Sequence, residues 1–218
     1  MVKNKFDAII FDMDGTLVDS ESALLGIWET TARDAGFDFS RAVMIKTIGT
    51  TYDETVRIMR EVYPDAPHDE IRVEMSARFK AMRENGQIGL MPGALEALEE
   101  VSQLGVPIGL CTSTRGSSAT VTLESVGILK YFNATVFGDE VANGKPDPEP
   151  YLKVASKLGV SPARCLVAED SPSGARSALS AGMTVTIIPD IILLPEDVLS
   201  RVILLDSINQ VASVFSHR

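Results

Sequence analysis

Six runs of apolar residues, each the length of a β-strand, are spread along the chain. Within each run the apolar residues follow one another instead of alternating with polar ones, which is typical of strands covered on both faces. Apolar positions repeated every three or four residues, such as Leu95, Leu98 and Val101, predict helices between most of the runs. The predicted strands are Phe6–Phe11, Val106–Thr112, Ala134–Phe137, Arg164–Ala168, Thr184–Ile188 and Val202–Leu205. Strands alternating with helices indicate βαβ units, so the pattern predicts a doubly wound α/β fold with a parallel sheet.

A long stretch between the first two strands, from about Asp19 to Asn85, contains only helical patterns. The first pattern includes Leu24, Trp28 and Ala32 and ends at Gly36, the second ends before Pro64, and the third runs from about Asp69 to Glu84. This stretch is far longer than a crossover between two parallel strands needs. It therefore predicts an all-helical domain, residues 18–87, inserted into a discontinuous core of residues 1–17 and 88–218.

Composition narrows the classes of function. The 218 residues include 20 lysines and arginines against 30 aspartates and glutamates, which gives a formal net charge of −10. This acidity, with no basic run, provides no electrostatic footprint for a nucleic acid polymer or an anionic membrane. The apolar runs are also far shorter than the roughly 20 residues of a membrane span. We therefore expect a cytoplasmic protein that binds neither nucleic acid nor membrane.

Two carboxylates follow the first predicted strand, in the sequence Asp12-Met13-Asp14-Gly15-Thr16. Open α/β sheets bind their ligands at the carboxyl ends of the strands, which is where these side chains would lie. A plain turn is the alternative, because Asp and Gly are common turn residues. An EF-hand calcium loop fits poorly, since its glycine stands later in the motif, and the chain has no Gly-Lys-Ser/Thr phosphate loop.

Other polar clusters follow three further predicted strands. They are Thr112-Ser113-Thr114, the loop containing Lys145, and Glu169-Asp170. Helix capping would explain Asp170 alone, but not two adjacent carboxylates at the end of an apolar strand. Parallel strands place their carboxyl ends on one edge, so these groups would meet Asp12 and Asp14. Four carboxylates in a small space repel one another unless a cation lies among them, and oxygen ligands favour a hard ion, most simply Mg²⁺.

Asp12-Met13-Asp14-Gly15-Thr16, Thr112, Lys145 and Glu169-Asp170 resemble, in order and position, the four motifs of the haloacid dehalogenase-like (HAD) superfamily. The helical stretch after the first motif is similar to the cap domain of its subfamily I. That group contains β-phosphoglucomutases and small sugar-phosphate phosphatases. The resemblance covers essentially the whole chain, and it implies a Rossmann-like parallel-sheet core with an inserted all-helical cap domain.

The resemblance also implies catalytic roles for residues of the first three motifs. Asp12 would attack phosphorus and form an aspartyl-phosphate, while Asp14 would act first as a general acid and then as a general base. Thr112 would hold the transferring phosphoryl group, and Lys145 would neutralise charge on it. Because halide needs no protonation, an acid/base residue at Asp14 favours phosphate-ester chemistry over dehalogenation.

Two further sets of residues are implied around these four. The phosphate- or substrate-binding set contains Gly15, Thr16, Ser113 and Thr114, and two residues of the cap, Tyr52 and Lys46. The metal set contains Asp12, the carbonyl of Asp14, Asp170 and Glu169, the last coordinating directly or through water. The cofactor implied by this set is Mg²⁺.

The choice between a phosphatase and a mutase depends on the cap. β-Phosphoglucomutases have a cap arginine, just after a glycine, for the second phosphate of the substrate, and Tyr52 stands at that place here. Tyrosine cannot form the two parallel hydrogen bonds to a phosphate that arginine forms, and this favours a phosphatase. Lys46 or Arg57 could nevertheless replace the missing arginine. A third hypothesis is a non-catalytic phospho-acceptor or binding module, since receiver domains also phosphorylate an Asp on an α/β sheet. Receivers, however, carry that Asp on a later strand and have no large helical insertion.

The sequence thus predicts an enzyme, a Mg²⁺-dependent phosphatase that acts through an aspartyl-phosphate intermediate. Its expected partner is a small phosphate ester, such as a sugar, polyol or nucleoside monophosphate. We expect a monomer, because the cap already covers the active site.

Overall fold

The computed structural model describes residues 5–45, 47, 52–189 and 194–216, and the side chains of residues 52–54 lie outside this description. Its centre is a parallel sheet of six strands. The strands are β1 (Ala8–Phe11), β2 (Ile108–Cys111), β3 (Ala134–Val136), β4 (Cys165–Glu169), β5 (Thr184–Ile187) and β6 (Ile203–Leu204). Their spatial order is β3-β2-β1-β4-β5-β6, so the direction of winding reverses between β1 and β4.

Helices cover the sheet and fill the insertion. The described helices are α1 (Ser20–Asp34), α2 (Arg41–Ile45), α3 (Tyr52–Val62), α4 (His68–Glu84), α5 (Ala94–Gln103), α6 (Gly116–Ser125), α7 (Glu149–Leu158), α8 (Pro172–Ser180), α9 (Glu196–Leu199) and α10 (Val211–Ser216). The apolar cluster on one face of the sheet includes residues of α5, α6 and α10. The cluster on the other face includes residues of α7, α8 and α9. The core is therefore a three-layer sandwich.

Strand β1 shows why the predicted strands are unbroken apolar runs. Ile9 and Phe11 belong to the cluster on one face, whereas Ala8 and Ile10 belong to the cluster on the other. All four side chains are fully buried. Because successive side chains of a strand point to opposite faces, helices on both sides require apolar residues at every position.

The insertion between β1 and α5 is helical in the part that the structure describes, and it has an apolar cluster of its own. Leu25, Phe39, Met59 and Met75 are among the buried members of this cluster. Helix α1 packs against α4, and Gly36 follows α1 with a positive φ of 82°. The predicted fold class, an α/β core with an inserted helical cap, is confirmed, while the domain boundaries at residues 17 and 88 stay a prediction.

The insertion is connected to the core by two chain segments that lie side by side. The N–H of Asp19 donates to the carbonyl of Gly89 over 3.0 Å, and the N–H of Met91 donates to the carbonyl of Leu17 over 2.9 Å. Phe79, near the end of α4, packs against both the core cluster and the insertion cluster. The first turn of α1 and the last turn of α4 are thus fixed next to the carboxyl edge of the sheet.

Most differences from the predicted elements are at helices with weak patterns. Helices α2, α6 and α9 were not predicted. Helix α6 is rich in Ser and Thr, which have modest helix propensity, and it forms because Ala119 and Leu123 are buried against the sheet. Among the described residues, no helix is long and apolar enough to cross a membrane.

Candidate active site

Three neighbouring strands bring the polar clusters together. Asp12 directly follows β1, Thr112 follows β2, and Asp170 follows β4. Backbone bonds continue the sheet to these residues, from the N–H of Asp12 to the carbonyl of Ala168 over 2.9 Å and from the N–H of Thr112 to the carbonyl of Val136 over 3.0 Å. The predicted meeting of these residues at one edge is therefore observed, on either side of the point where the winding reverses.

A buried ammonium group links two of the carboxylates. Lys145 Nζ lies 2.5 Å from Asp12 Oδ1 and 2.7 Å from Glu169 Oε1, and it also donates to the carbonyl of Cys111 over 3.0 Å. The side chains of Lys145, Asp12 and Glu169 are 6%, 9% and 0% exposed. All three N–H donors of the ammonium therefore have an acceptor inside the protein, which holds Lys145 at a single place.

The loop before α7 delivers this lysine. The backbone N–H groups of Ala142 and Asn143 donate to the Glu149 carboxylate over 2.8 and 2.9 Å. At the other end of the loop, Ser177 Oγ donates to the carbonyl of Asp147 over 2.5 Å. The side chain of Lys145 extends from between these two anchors.

Glu169 has both of its oxygens occupied by protein donors. Oε1 accepts from Lys145 and from the hydroxyl of Tyr151, the latter over 2.8 Å. Oε2 accepts from the N–H groups of Asp170 and Ser171 and from the Ser171 hydroxyl, over 3.0–3.1 Å. A Cβ at Gly174 would lie 1.6 Å from Oε1, so only glycine leaves room for this carboxylate. Sequence reasoning missed Tyr151, because a tyrosine within an apolar helical pattern has no signal that distinguishes it from core.

Asp170 completes the acidic cluster. Its Oδ1 accepts from the Thr16 hydroxyl over 2.8 Å, and the residue is 2% exposed. Gly15 has a φ of 80°, and a Cβ there would lie 2.5 Å from Asp170 Oδ2, so the turn after β1 requires glycine on both counts. Ligand oxygens of Asp12, Glu169 and Asp170 all lie within 4.8 Å of one another.

Asp14 is held differently, by hydroxyl groups. Its Oδ1 accepts from Ser20 Oγ over 2.7 Å, and its Oδ2 accepts from Thr112 Oγ1 over 3.1 Å and from Thr114 Oγ1 over 2.7 Å. Thr112 Oγ1 in turn accepts from the N–H of Thr114 over 3.0 Å. Ser20, in the first turn of α1, was missed in the sequence, where a hydroxyl at a helix start is indistinguishable from an ordinary cap residue.

The electrostatics of the cluster favour a bound cation. Burial raises the pKa of Asp12 to about 8. The positive charge of Lys145 works against this rise, and the negative charges of Glu169 and Asp14 add to it. Burial likewise raises the pKa of Asp170 well above its usual range. Burial lowers the pKa of Lys145, but the nearby Asp12 and Glu169 outweigh it and hold that pKa well above its usual range. The cluster holds three buried carboxylates, but the Lys145 ammonium contacts only those of Asp12 and Glu169. Keeping Asp12 and Asp170 ionised at neutral pH therefore requires a further cation beside them. The oxygen donors and this requirement fit a divalent metal ion.

Other predicted residues have different surroundings. The hydroxyl of Thr16 is bonded to Asp170, and the N–H of Gly15 donates to the carbonyl of Val18 over 2.9 Å. Ser113 is exposed beside the cluster. Two predicted cap residues cannot be placed at the site: Lys46 lies outside the described residues, as does the side chain of Tyr52 at the start of α3. The substrate-binding roles of all these residues stay predictions.

The parallel sheet, the acidic cluster at its carboxyl edge and the helical insertion after the first strand define a Rossmann-like α/β protein. A sequence model of the haloacid dehalogenase-like hydrolase family matches residues 9–188. The chain is 35% identical to the phosphorylated carbohydrates phosphatase of Thermotoga maritima, over 81% of this chain and 82% of that one. It is 30% identical to the validoxylamine A 7'-phosphate phosphatase of Streptomyces hygroscopicus subsp. limoneus, over 82% of this chain and 83% of that one.

A solved structure agrees with these relatives. The crystal structure of CbbY from Rhodobacter sphaeroides in complex with phosphate is 26% identical, has a TM-score of 0.74, and covers 94% of this chain and 96% of that one. The chain belongs to the haloacid dehalogenase-like hydrolase family. Within that family it is a phosphoric monoester hydrolase, as its phosphatase relatives indicate, so the predicted family and enzyme class are confirmed.

Proposed function

We propose that this phosphatase hydrolyses a small phosphorylated metabolite, a sugar, polyol or nucleoside monophosphate, through an aspartyl-phosphate on Asp12 and with Mg²⁺ as cofactor. The observation that carries the proposal is the contrast between two carboxylates in one site. Asp12 is buried against an ammonium group within the acidic cluster, whereas Asp14 faces three hydroxyl groups. Relatives named as phosphatases of phosphorylated carbohydrates and of validoxylamine A 7'-phosphate support this substrate class.

Asp12 is the nucleophile in this proposal. One of its carboxylate oxygens forms a bond to phosphorus while the ester P–O bond breaks, and the leaving alkoxide takes a proton from Asp14. In the second step Asp14 removes a proton from water, and the water oxygen attacks phosphorus. The bond between phosphorus and Asp12 then breaks, which releases inorganic phosphate and restores both carboxyl groups.

Lys145 and the hydroxyl groups supply the positioning. Lys145 stays in contact with Asp12 and places positive charge where the phosphoryl oxygens gather. Thr112 and Thr114 now donate to Asp14, and they would turn toward the phosphoryl oxygens when a substrate enters. Ser20 would continue to hold Asp14 from the side of α1, which leaves this carboxyl group oriented throughout the reaction.

Asp12, Asp170 and the carbonyl of Asp14 would hold the ion. Mg²⁺ prefers a few carboxylate ligands and keeps several waters, and when bound it neutralises charge on the phosphoryl group. Glu169 would contribute through water, because both of its oxygens already accept from protein donors.

The central test is hydrolysis of 4-nitrophenyl phosphate by Asp12→Asn. We expect kcat to fall by at least ~10⁴-fold, since removal of a covalent nucleophile costs about that much or more. Asp197→Asn is the matched control, because Asp197 lies on the surface in an exposed pair with Arg176. Wild-type activity should require Mg²⁺ and disappear with EDTA, and acid-quenched enzyme should carry a phosphoryl group on Asp12 by mass spectrometry. Asp12→Asn activity within tenfold of wild type would contradict the mechanism.

The same preparations separate the two alternatives. A mutase would isomerise β-glucose 1-phosphate faster than it releases inorganic phosphate. A phospho-acceptor module would keep its aspartyl-phosphate for hours. Rapid phosphate release from several monoesters, with a short-lived phosphoenzyme, is the result expected for a phosphatase.

A further inference from the structure

Arg83 lies in the last turn of α4, where the insertion returns to the core. The two connecting segments are hydrogen-bonded to each other, from Asp19 to Gly89 and from Met91 to Leu17. They hold the end of α4 next to the start of α1, where Ser20 donates to Asp14. Helix α4 also packs against α6 of the core, so this turn is supported from two sides.

The guanidinium of Arg83 has few partners in the part of the chain that the structure describes. Its central carbon lies 4.7 Å from the centre of the Phe79 ring. Its Nε is buried and has no hydrogen-bond partner among the described residues. Arg78, five residues earlier on the same helix, pairs instead with Asp34 and Glu74, each over 2.7 Å. A partly buried arginine without an acceptor is costly unless a ligand supplies one.

The charge of Asp14 acts on Arg83. Burial lowers the pKa of the guanidinium, and the negative charge of Asp14 works in the opposite direction. Arginine stays protonated in proteins, so the group keeps its positive charge at neutral pH. A cation that packs on an aromatic ring and has a buried N–H without an acceptor is suited to recognise an anion.

We propose that Arg83 binds a second anionic group of the substrate, a carboxylate or a phosphate, on the leaving-group side of the scissile ester. This inference rests on the proposed function, because that function places the leaving oxygen at Asp14. Atoms bonded to that oxygen extend away from the acidic cluster, toward the junction of α1 and α4. A planar carboxylate or phosphate there would accept two parallel N–H bonds from the guanidinium. Arg83 is thus a specificity-determining residue that selects phosphate monoesters bearing a second negative charge.

The test compares ligands that differ only in the second charge. 3-Phosphoglycerate and glycerol 3-phosphate form one pair, and fructose 1,6-bisphosphate and fructose 1-phosphate form another, so the pairs separate carboxylate from phosphate recognition. The inhibition constant of each compound against 4-nitrophenyl phosphate hydrolysis is measured for wild type, Arg83→Ala, Arg83→Lys and Lys80→Met. Lys80 is an exposed lysine of the same helix, so Lys80→Met controls for loss of a positive charge.

In wild type, the doubly anionic member of at least one pair should bind at least ~10-fold more tightly, the usual gain from a charged hydrogen-bonded pair. Arg83→Ala should abolish that preference, Arg83→Lys should restore part of it, and Lys80→Met should retain it. The inference is wrong if wild type shows no preference in either pair, or if Arg83→Ala weakens both members of a pair equally.

Failure of the proposed function gives a different result. A wild-type protein that does not hydrolyse 4-nitrophenyl phosphate contradicts the function itself. The same four compounds are then titrated by calorimetry in the presence of Mg²⁺. The ratio of the two dissociation constants within each pair then shows whether Arg83 recognises the second anionic group.

Discussion

The carboxyl edge of the sheet and the helical insertion use charge in opposite ways. At the edge, Lys145 is 6% exposed and contacts two carboxylates that are 9% and 0% exposed. In the insertion, ion pairs such as Arg41–Glu29 and Lys80–Glu84 lie on the surface, with side chains that are 33–73% exposed. Buried charges interact strongly and must be paired, whereas exposed pairs are screened by water. The difference shows that buried charges position the groups of the core site, whereas the charges of the insertion mainly interact with water.

The two regions also differ in packing. The sheet is filled by aliphatic residues that are fully buried on both faces. The insertion relies more on flexible or aromatic side chains, including Met44, Met59 and Met75, and on the Phe39–Tyr63 pair with ring centres 4.4 Å apart. A cavity of about 210 Å³, with a mainly apolar lining, lies between α1, α3 and α4. Methionine adapts to irregular space, so the insertion can repack where the core cannot.

Lys145→Met tests the contrast between buried and exposed charges, and it should have the largest effect on stability. It removes the ammonium that contacts Asp12 and Glu169 and leaves their carboxylates buried without it. We expect the free energy of unfolding to fall by about 3–5 kcal/mol, as when one partner of a buried ion pair is lost. Urea unfolding in EDTA measures the effect. A loss no larger than that of an exposed lysine would mean that the edge is not electrostatically organised.

Met75→Ala tests the contrast in packing. Met75 is 7% exposed and lines the cavity of the insertion, so its truncation enlarges a space that already exists. We expect a loss of about 2 kcal/mol in unfolding free energy, toward the low end for a buried methionine. The Mg²⁺ concentration for half-maximal activity should stay unchanged, because the carboxylates lie in the core.

Met75→Leu is the matched control for this change. It conserves volume approximately, and we expect it to cost less than ~1.5 kcal/mol. If Met75→Ala shifted the Mg²⁺ requirement as much as it shifted stability, the two regions would not be energetically separate.

The fold was predictable where one physical signal dominated. Mainly apolar runs predicted all six strands. Every residue of β1, β2 and β4 is buried, whereas both residues of β6, at the edge of the sheet, are exposed. Strand ends were less certain: Val106 and Pro107, for example, precede β2, since apolar residues also pack in the loops that enter a sheet. Helix α2 has only five residues, too few for a periodic pattern to appear.

The site was predictable where chemistry is concentrated at strand ends. Asp12, Asp170 and Lys145 meet as the parallel topology requires. The contacts of Ser20 and Tyr151 were not predictable, because each residue lies on a helix. Tertiary packing alone determines how such a helix is rotated and how far it lies from the site. Arg83 was hidden for the same reason: it belongs to a helix of the insertion, and the pairing of the two connecting segments brings the end of that helix to the core.

Lys80→Met should have the smallest effect on the free energy of unfolding. It makes the same change of lysine to methionine in the insertion that Lys145→Met makes at the edge of the sheet. Lys80 Nζ lies 3.7 Å from Glu84 Oε1, and the two side chains are 73% and 57% exposed. Such a pair contributes about 0.3–0.5 kcal/mol on a helix surface and is screened by salt. Urea unfolding should therefore show a loss of at most ~0.5 kcal/mol, and the loss should vanish in high salt. If the free energy of unfolding fell nearly as much as in Lys145→Met, the surface charges would stabilise the insertion as strongly as the buried charges stabilise the core. The contrast between the two regions would then be wrong.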